Sequence, residues 1–436
     1  MTPGARLAAA IDICGLIWSS TAPPDDVVRH YFRSRRYAGG GDRRAVFVTV
    51  FDLLRRHARL DWWIERSGSA PDDRKRTLAD LLLTHGMDDQ AAARLFAEGA
   101  HAPGPLDDGE SIWARSLVGH PLDHPAMPPW VHLECPSWLY PDLQALWGER
   151  TEAELLALNQ PAPVDLRVNI ARTDRLAVAA RLGEEGLIAE PTPYSPWGLR
   201  LAPGSRLESA SVLADGSAEI QDEGSQIVAA LVDAQAGMTV VDLCAGAGGK
   251  TLALGSVMAE AGQIRGRLVA ADAEPRRLAP LADRLNRARL SGVEIETVMG
   301  EGSILKALSG TVDRILVDAP CTGSGTWRRR PDLRWRHGPE TTARHTALQD
   351  SILDRAAALL RPGGRLIYAT CALSAVENEE RVKSLLARQP SLAIVAAQDI
   401  WTGSTTLPAT AAPFVRLSPA ATGTDGFFCA ILARAA

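Results

Sequence analysis

Two cysteines carry the clearest chemical signal in this chain. Cys321 closes the segment Asp318-Ala-Pro-Cys321, and Cys371 follows Thr370; each stands directly after a short apolar stretch. A thiolate is a strong nucleophile, and two thiols beside a carboxylate can attack an electron-poor ring and later assist its release. Cytosine needs such help, because its carbon 5 is not nucleophilic enough to take a methyl group unaided. A thiolate adding at carbon 6 makes carbon 5 enamine-like, and the carbon 5 proton must then be removed before the thiolate can leave. A lone free cysteine is more often a small buried hydrophobe. Two at the ends of separate strands, one beside Asp-x-Pro, favour chemistry. Cys14, Cys135, Cys244 and Cys429 read as packing residues, with Cys244 also placed in a glycine loop.

That loop is Thr239-Val-Val-Asp-Leu-Cys-Ala-Gly-Ala-Gly-Gly-Lys-Thr251, a strand, a tight turn and a helix start. Gly246, Gly248 and Gly249 let the backbone approach a ligand, and the helix that follows offers free N–H groups. A triphosphate loop requires glycine where Cys244 stands, so that reading fails. A dinucleotide fingerprint requires glycine where Thr251 stands, so that match is incomplete. S-adenosylmethionine, which has no pyrophosphate to cradle, fits the same strand–loop–helix, and Asp272 ends the next strand where a carboxylate can accept both ribose hydroxyls. A glycine turn without a ligand remains the plain alternative.

These residues need a scaffold that brings strand ends together. From about residue 217, strands at Thr239–Leu243, Leu268–Asp272, Val293–Met299, Arg314–Asp318 and Arg365–Thr370 alternate with helices at Lys250–Met258, Pro275–Leu290 and Thr341–Leu360. That order predicts a parallel, doubly wound sheet. Phe414–Leu417 and Gly426–Ala433 read as an antiparallel pair at one edge. Residues up to about 145 read as helical, with Leu7, Ile11, Cys14 and Trp18 on one helical face. Between them, Asp165–Ile170, Arg175–Gly183, Ile188–Ala189 and Leu199–Leu201 suggest a small α+β module.

Composition sets outer limits. The 436 residues are 46% hydrophobic and 23% charged, with net charge -5, so any nucleic-acid surface is a local patch. The six cysteines include no CxxC pair and no zinc spacing, which points to no metal and a reducing cytoplasm. Asp12 interrupts the apolar stretch Leu7–Trp18, which argues against a signal peptide, and no apolar run reaches the roughly 20 residues of a membrane span.

With its motifs assembled, the chain resembles the NOL1/NOP2/Sun family of RNA cytosine-5 methyltransferases, above all its bacterial RsmB-like branch. The likeness rests on Asp242-Leu-Cys-Ala-Gly-Ala-Gly-Gly-Lys250, Val317-Asp-Ala-Pro-Cys-Thr-Gly-Ser-Gly325, Arg330-Pro-Asp-Leu-Arg-Trp335, Ala369-Thr-Cys371, Glu377-Asn-Glu379 and Gly423-Thr-Asp-Gly-Phe-Phe428. Gln221-Asp-Glu-Gly-Ser-Gln226, Leu166-Arg-Val-Asn169 and, more loosely, Asp42-Arg-Arg44 extend it upstream.

The resemblance implies a Rossmann-like class I methyltransferase domain at 217–436, a helical NusB-like RNA-binding domain at 1–145 and a ferredoxin- or RRM-like α+β module at 146–216. It implies S-adenosylmethionine as cofactor, held by Cys244, Ala245, Gly246, Ala247, Gly248, Gly249, Lys250, Asp272, Asp318 and Glu301, the last standing where the family usually has Asp. Cys371 becomes the nucleophile, Cys321 the group that assists release, and Asp318 the contact to cytosine. Ribosomal RNA is favoured over transfer RNA as substrate; a transfer RNA enzyme and a non-catalytic ribosome-assembly factor are the alternatives.

Two arginine clusters are candidate RNA contacts. Arg35, Arg36, Arg43 and Arg44 flank Tyr37, and Arg328, Arg329, Arg330, Arg334 and Arg336 interleave with Trp327 and Trp335 just past the Cys321 segment. Guanidinium groups pair with phosphates and aromatic rings stack on splayed bases.

Overall fold

The computed structural model describes residues 1–202, 205, 207, 210–298, 304–401, 406–408 and 412–436. The chain divides into two compact units, Met1–Asn159 with Trp327–Arg336, and Gln160–Thr326 with His337–Ala436.

The first unit is helical. Pro3–Ser19, Gly40–Arg55 and Asp73–Leu83 turn Ile13, Ile17, Val46, Val50, Leu54, Leu78 and Leu82 into one core. Apolar residues three and four apart share a helix face, which is why these segments pack as helices. Leu7, Cys14, Ile11 and Trp18 do lie against that core. Thr2, Asp72, Asp88 and Asp107 each accept the backbone N–H three residues on and so fix where a helix starts. The helix His57–Arg66 is capped from a distance. The buried Glu134 carboxylate accepts Ala58 N at 2.8 Å, Arg59 N at 3.2 Å and Arg59 Nε at 3.0 Å.

The second unit begins with a small antiparallel sheet. Its strands are β1 (Asp165–Val168), β2 (Ala189–Pro191), β3 (Gly198–Leu201) and β4 (Ala218–Ile220), in the order β2-β3-β1-β4. The helix Arg175–Glu184 covers it with Val178 and Leu182. β1 is shorter than expected and ends at Val168; the next side chain, Asn169, donates its Nδ2 to Gly216 O at 3.1 Å and Ala288 O at 2.9 Å. β4 lies past residue 216, so the module draws its fourth strand from the stretch read as the start of the catalytic half.

The large sheet follows with β5 (Thr239–Asp242), β6 (Ala259–Glu260), β7 (Gln263–Asp272), β8 (Ser291–Thr297), β9 (Val312–Asp318), β10 (Leu360–Thr370), β11 (Leu392–Val395), β12 (Val415–Leu417) and β13 (Phe427–Arg434). Among the described residues its main order is β8-β7-β5-β9-β10-β13-β11. The first five are parallel, and β13 runs antiparallel to both of its neighbours. Alternate side chains serve opposite faces. Val241, Ile315, Val317, Leu366 and Tyr368 pack under Pro339–Leu359 and Glu379–Arg388. Val240, Leu316, Ile367 and Ala369 pack with the helices Glu223–Leu231 and Gly249–Met258 on the other face. Burial on both faces explains the near-continuous apolar runs of the central strands.

Three expectations are corrected. The helix expected over Pro275–Leu290 is two, Pro275–Leu278 and Leu281–Ala288, with Pro280 at the break because proline has no N–H to continue the first. The strand expected to reach Met299 ends at Thr297, and Met299 lies outside the described residues. The antiparallel pair β12–β13 forms, but β13 is not an edge strand, since β10 flanks one side and β11 shares the other with β12.

Removing the buried carboxylate in Glu134→Ala leaves two helix N–H groups and part of a guanidinium without their partner. We expect a loss of about 3 kcal/mol in unfolding free energy, measured by denaturant titration; an unchanged midpoint would refute the capping role.

Candidate active site

The glycine loop joins β5 to the helix Gly249–Met258. Gly246 and Gly248 have φ of 52° and 81°, a region costly for residues with a Cβ. Gly248 is doubly constrained, because a Cβ there would lie 2.1 Å from Leu281 Cδ1. At the end of β7, Asp272 Oδ2 accepts Gly246 N at 2.9 Å and its Oδ1 accepts Glu274 N at 2.9 Å. Arg277 Nη1 stands 3.4 Å from the same carboxylate. Each carboxylate oxygen has two acceptor sites, so Asp272 keeps capacity for ligand hydroxyls. The turn, the helix start and this carboxylate suit S-adenosylmethionine, and Gly246–Lys250 with Asp272 would hold it.

Beneath the loop lies a chain of charges. Thr251 Oγ1 donates to Asp242 Oδ2 at 2.7 Å, while the buried Asp242 Oδ1 has no hydrogen-bond partner among the described residues. Burial, helped by the negative charges of Asp318 and Asp272, pushes the Asp242 carboxyl up to about 7. Lys250 Nζ donates to Asp318 Oδ2 at 2.6 Å and lies 5.4 Å from the Phe427 ring centre. Burial opposes the Lys250 charge, but Asp318 foremost, with Asp242 and Cys371, holds its ammonium above the ordinary lysine value. Cys244 is pushed well up by burial and by the carboxylates around it, as suits a residue that lines the loop without reacting.

The structure brings the two sequence-distant thiols together. β9 and β10 are parallel neighbours with Ala369 paired to Asp318, so the segments leaving them emerge side by side. Cys321 Sγ and Cys371 Sγ, 50 residues apart in sequence, are 3.4 Å apart. Their loops are stitched by backbone bonds: Gly325 N donates to Cys371 O at 2.8 Å, and Gly426 N donates to Gly325 O at 2.8 Å. Gly325 is required there, since a Cβ would meet Gly426 O at 2.2 Å. Ser324 Oγ accepts Leu373 N at 2.8 Å, Thr370 Oγ1 donates to Asn378 Oδ1 at 2.6 Å, and Asn378 Nδ2 donates to Ala372 O at 2.9 Å. The hydrogen bond to Cys371, then burial, pushes the Cys321 thiol well up.

Sequence reasoning missed Gln349 and left Thr322 and Glu377 without roles, although all three hold the Cys321 loop. Glu377 lay in a recognisable motif, whereas Gln349 sits mid-helix with no local signal. Glu301 lies outside the described residues.

The second arginine cluster is corrected. Trp327–Arg336 belongs to the helical unit. Arg328 and Arg334 are buried, and Arg334 Nη2 donates to Leu158 O at 3.0 Å while its other nitrogen meets Asn159 Oδ1. Arg336 donates to Ser20 O at 2.6 Å and to Ile17 O, carbonyls at the C-terminus of Pro3–Ser19. Carbonyls at a helix C-terminus carry partial negative charge, so a cation is well placed there. Arg330 and Arg336 also share the buried Asp332. Of this cluster, the guanidinium groups of Arg330, Arg334 and Arg336 are committed within the protein rather than offered to phosphate. In the other cluster Arg36, Arg43 and Arg44 are exposed, and Arg35 lies 3.6 Å over the Tyr31 ring.

Two expectations follow. Gly248→Ala should raise the Kd for S-adenosylmethionine about tenfold, read by calorimetry; unaltered affinity would show that the loop tolerates a Cβ. Asp242 has a folded value above its ordinary 3.8, so it destabilises the ligand-free fold increasingly as pH rises from about 4 to about 7. Asp242→Asn should therefore raise the Tm of the ligand-free protein more at pH 8 than at pH 5. An equal change at both would rule out charge burial as its cause.

Comparison with known proteins points to one family. The family model for the 16S rRNA methyltransferase RsmB/F matches residues 229–433, and that for the RsmF/B-like ferredoxin-like domain matches 135–208. Ribosomal RNA small subunit methyltransferase B of Klebsiella pneumoniae is 34% identical over 410 residues, 90% of each chain. The crystal structure of PH0851 shares the fold over 99% of both chains, with a TM-score of 0.79 at 24% identity. That of NSun6 from Pyrococcus horikoshii with SFG covers 69% of this chain and 98% of its own, with a TM-score of 0.60 at 20% identity. With its glycine loop, strand-end carboxylates and sheet order in place, the chain belongs to the RsmB/F family of S-adenosylmethionine-dependent RNA methyltransferases.

Proposed function

We propose that this protein methylates carbon 5 of a cytosine in small-subunit ribosomal RNA, with Cys371 as the covalent nucleophile. The observation that carries the reading is the 3.4 Å approach of two thiols at neighbouring parallel strand ends, beside a carboxylate held by a buried lysine. Other methyl transfers to nitrogen or oxygen need no such pair. Relatives named for small-subunit ribosomal RNA support the choice of substrate.

In this scheme Cys371 Sγ bonds to carbon 6 of the ring, and the displaced electron pair makes carbon 5 nucleophilic. Bound S-adenosylmethionine supplies the activated methyl group. Asp318, fixed by Lys250, faces the N3/N4 edge of the base. The carbon 5 proton then passes to water, its electron pair restores the 5,6 double bond, and the carbon–sulfur bond breaks with its pair going to Cys371. Cys321, held as a thiol, donates its hydrogen bond to the departing sulfur. The cytosine must be single-stranded or flipped to enter.

RNA is handled by the helical domain over 1–145 and the α+β module over 146–216, ahead of the catalytic domain over 217–436. Exposed Arg36, Arg43 and Arg44 with Tyr37, which is 70% exposed, support this. So does a groove of about 530 Å³ lined by Arg29, His30, Arg33 and Arg35 among others. Binding through such contacts weakens with salt. We place the protein in the cytoplasm, where its six free cysteines stay reduced; no helix among the described residues is long and apolar enough to cross a membrane.

The decisive comparison uses both cysteine variants purified after expression with cellular RNA. Cys371→Ala should lose methyl transfer, keep cofactor binding and form no adduct. Cys321→Ala should accumulate a denaturation-resistant protein–RNA complex whose sequenced RNA names the target. An adduct with Cys371→Ala alone would make Cys321 the nucleophile and overturn the assignment.

A further inference from the structure

Glu377 is buried next to the two thiols, and the scheme above gives it no task. Its Oε1 accepts Thr322 N at 2.9 Å, and its Oε2 accepts Thr322 Oγ1 at 2.5 Å. Gln349 Nε2 donates to Glu377 Oε1 at 3.2 Å and to Pro320 O at 2.9 Å. His337 Nδ1 lies 2.9 Å from Thr322 O, and Tyr368 OH donates to Glu377 O at 2.6 Å. The two peptide groups that flank Cys321 are therefore both held, Pro320 C=O through Gln349 and Thr322 N–H through the carboxylate itself. Glu377 reaches them from the segment just after Cys371. One side chain thus ties the loop of one thiol to the loop of the other.

Burying a carboxylate is costly unless several donors face it. Here three donors converge on it, an arrangement that a loop needing only to be covered would not require. Burial pushes the Glu377 carboxyl above its ordinary value, and the bonds from Thr322 and Gln349 oppose that rise.

We propose that Glu377 is a positioning residue for the release step: it holds the Cys321 loop so that the Cys321 thiol stays within reach of the Cys371 sulfur. This rests on the reading of Cys321 as the group that assists release. In that step the carbon 5 proton goes to water, the 5,6 double bond re-forms, and the carbon 6–sulfur bond breaks toward Cys371. Cys321 must donate to that sulfur as its charge develops. Loosening the loop leaves addition and methyl transfer to Cys371 and slows only the exit.

The test uses the full chain expressed with cellular RNA in wild-type, Cys321→Ala, Glu377→Ala and Glu377→Gln forms, with the RNA-bound fraction read on denaturing gels. Glu377→Ala should accumulate adduct to near the Cys321→Ala level, the trapped base should carry the methyl group, and decay of the purified adduct should slow on the order of a hundredfold. Glu377→Gln keeps an acceptor for Thr322 N–H and should restore most of the release rate. A purely structural role would instead lower adduct and methylation together. The proposal is overturned if Glu377→Ala melts and binds S-adenosylmethionine like wild type yet forms no adduct while Cys321→Ala does. If Cys321→Ala forms none either, the underlying reading of Cys321 fails and this one falls with it. Should Glu377→Ala not fold, Gln349→Leu, which frees Pro320 C=O but keeps the carboxylate, carries the same expectation and decides the matter.

Discussion

Everything at this site depends on the parallel pairing of β9 with β10. Because the two strands run the same way in register, the chain leaves both at the same edge of the sheet, and whatever follows Asp318 must lie beside whatever follows Thr370. An antiparallel pair would have sent the two cysteines to opposite ends. The helix that makes the crossover, Pro339–Leu359, also supplies Gln349, so the connection demanded by parallel topology is itself used to brace the Cys321 loop.

The electrostatics follow from the same edge. Strand ends bring Asp242, Asp272 and Asp318 into one region, and three carboxylates without a cation would repel one another strongly there. Lys250, placed by the first turn of the helix after the glycine loop, supplies a positive charge at Asp318, with Phe427 beside its ammonium, and Arg277 supplies one at Asp272. Asp242 takes the other route to relief and shifts toward its neutral form. The helix start therefore serves both ends of the site, its turn for the cofactor and its lysine for the carboxylate at the base.

Much of this was legible because it is written locally. Gly246 and Gly248 mark a turn that other residues resist, and Cys321 and Cys371 mark strand ends because apolar runs precede them. The features that escaped are those decided by distant partners. β11 is four residues long, too short for a periodic pattern, so only its pairing with β13 identifies it. Gln349 resembles any polar residue on a helix until the fold sets it against Pro320. The arginines of 327–336 misled for a related reason: charge in a sequence gives no direction, and the acceptors that captured Arg334 and Arg336 lie more than a hundred positions away, at Leu158, Ile17 and Ser20.

That ten-residue excursion has a consequence for modularity. The chain passes between the two units at three places, after Asn159, after Thr326 and after Arg336. A domain hung on a single linker can be lost, exchanged or cut away by one event. Here a cut at residue 160 would part Arg334 from Leu158 and Asn159, which accept its hydrogen bonds. The helical unit is thus completed by a segment that follows Cys321 in sequence, and a fragment ending at residue 159 would lack ten residues of its own unit.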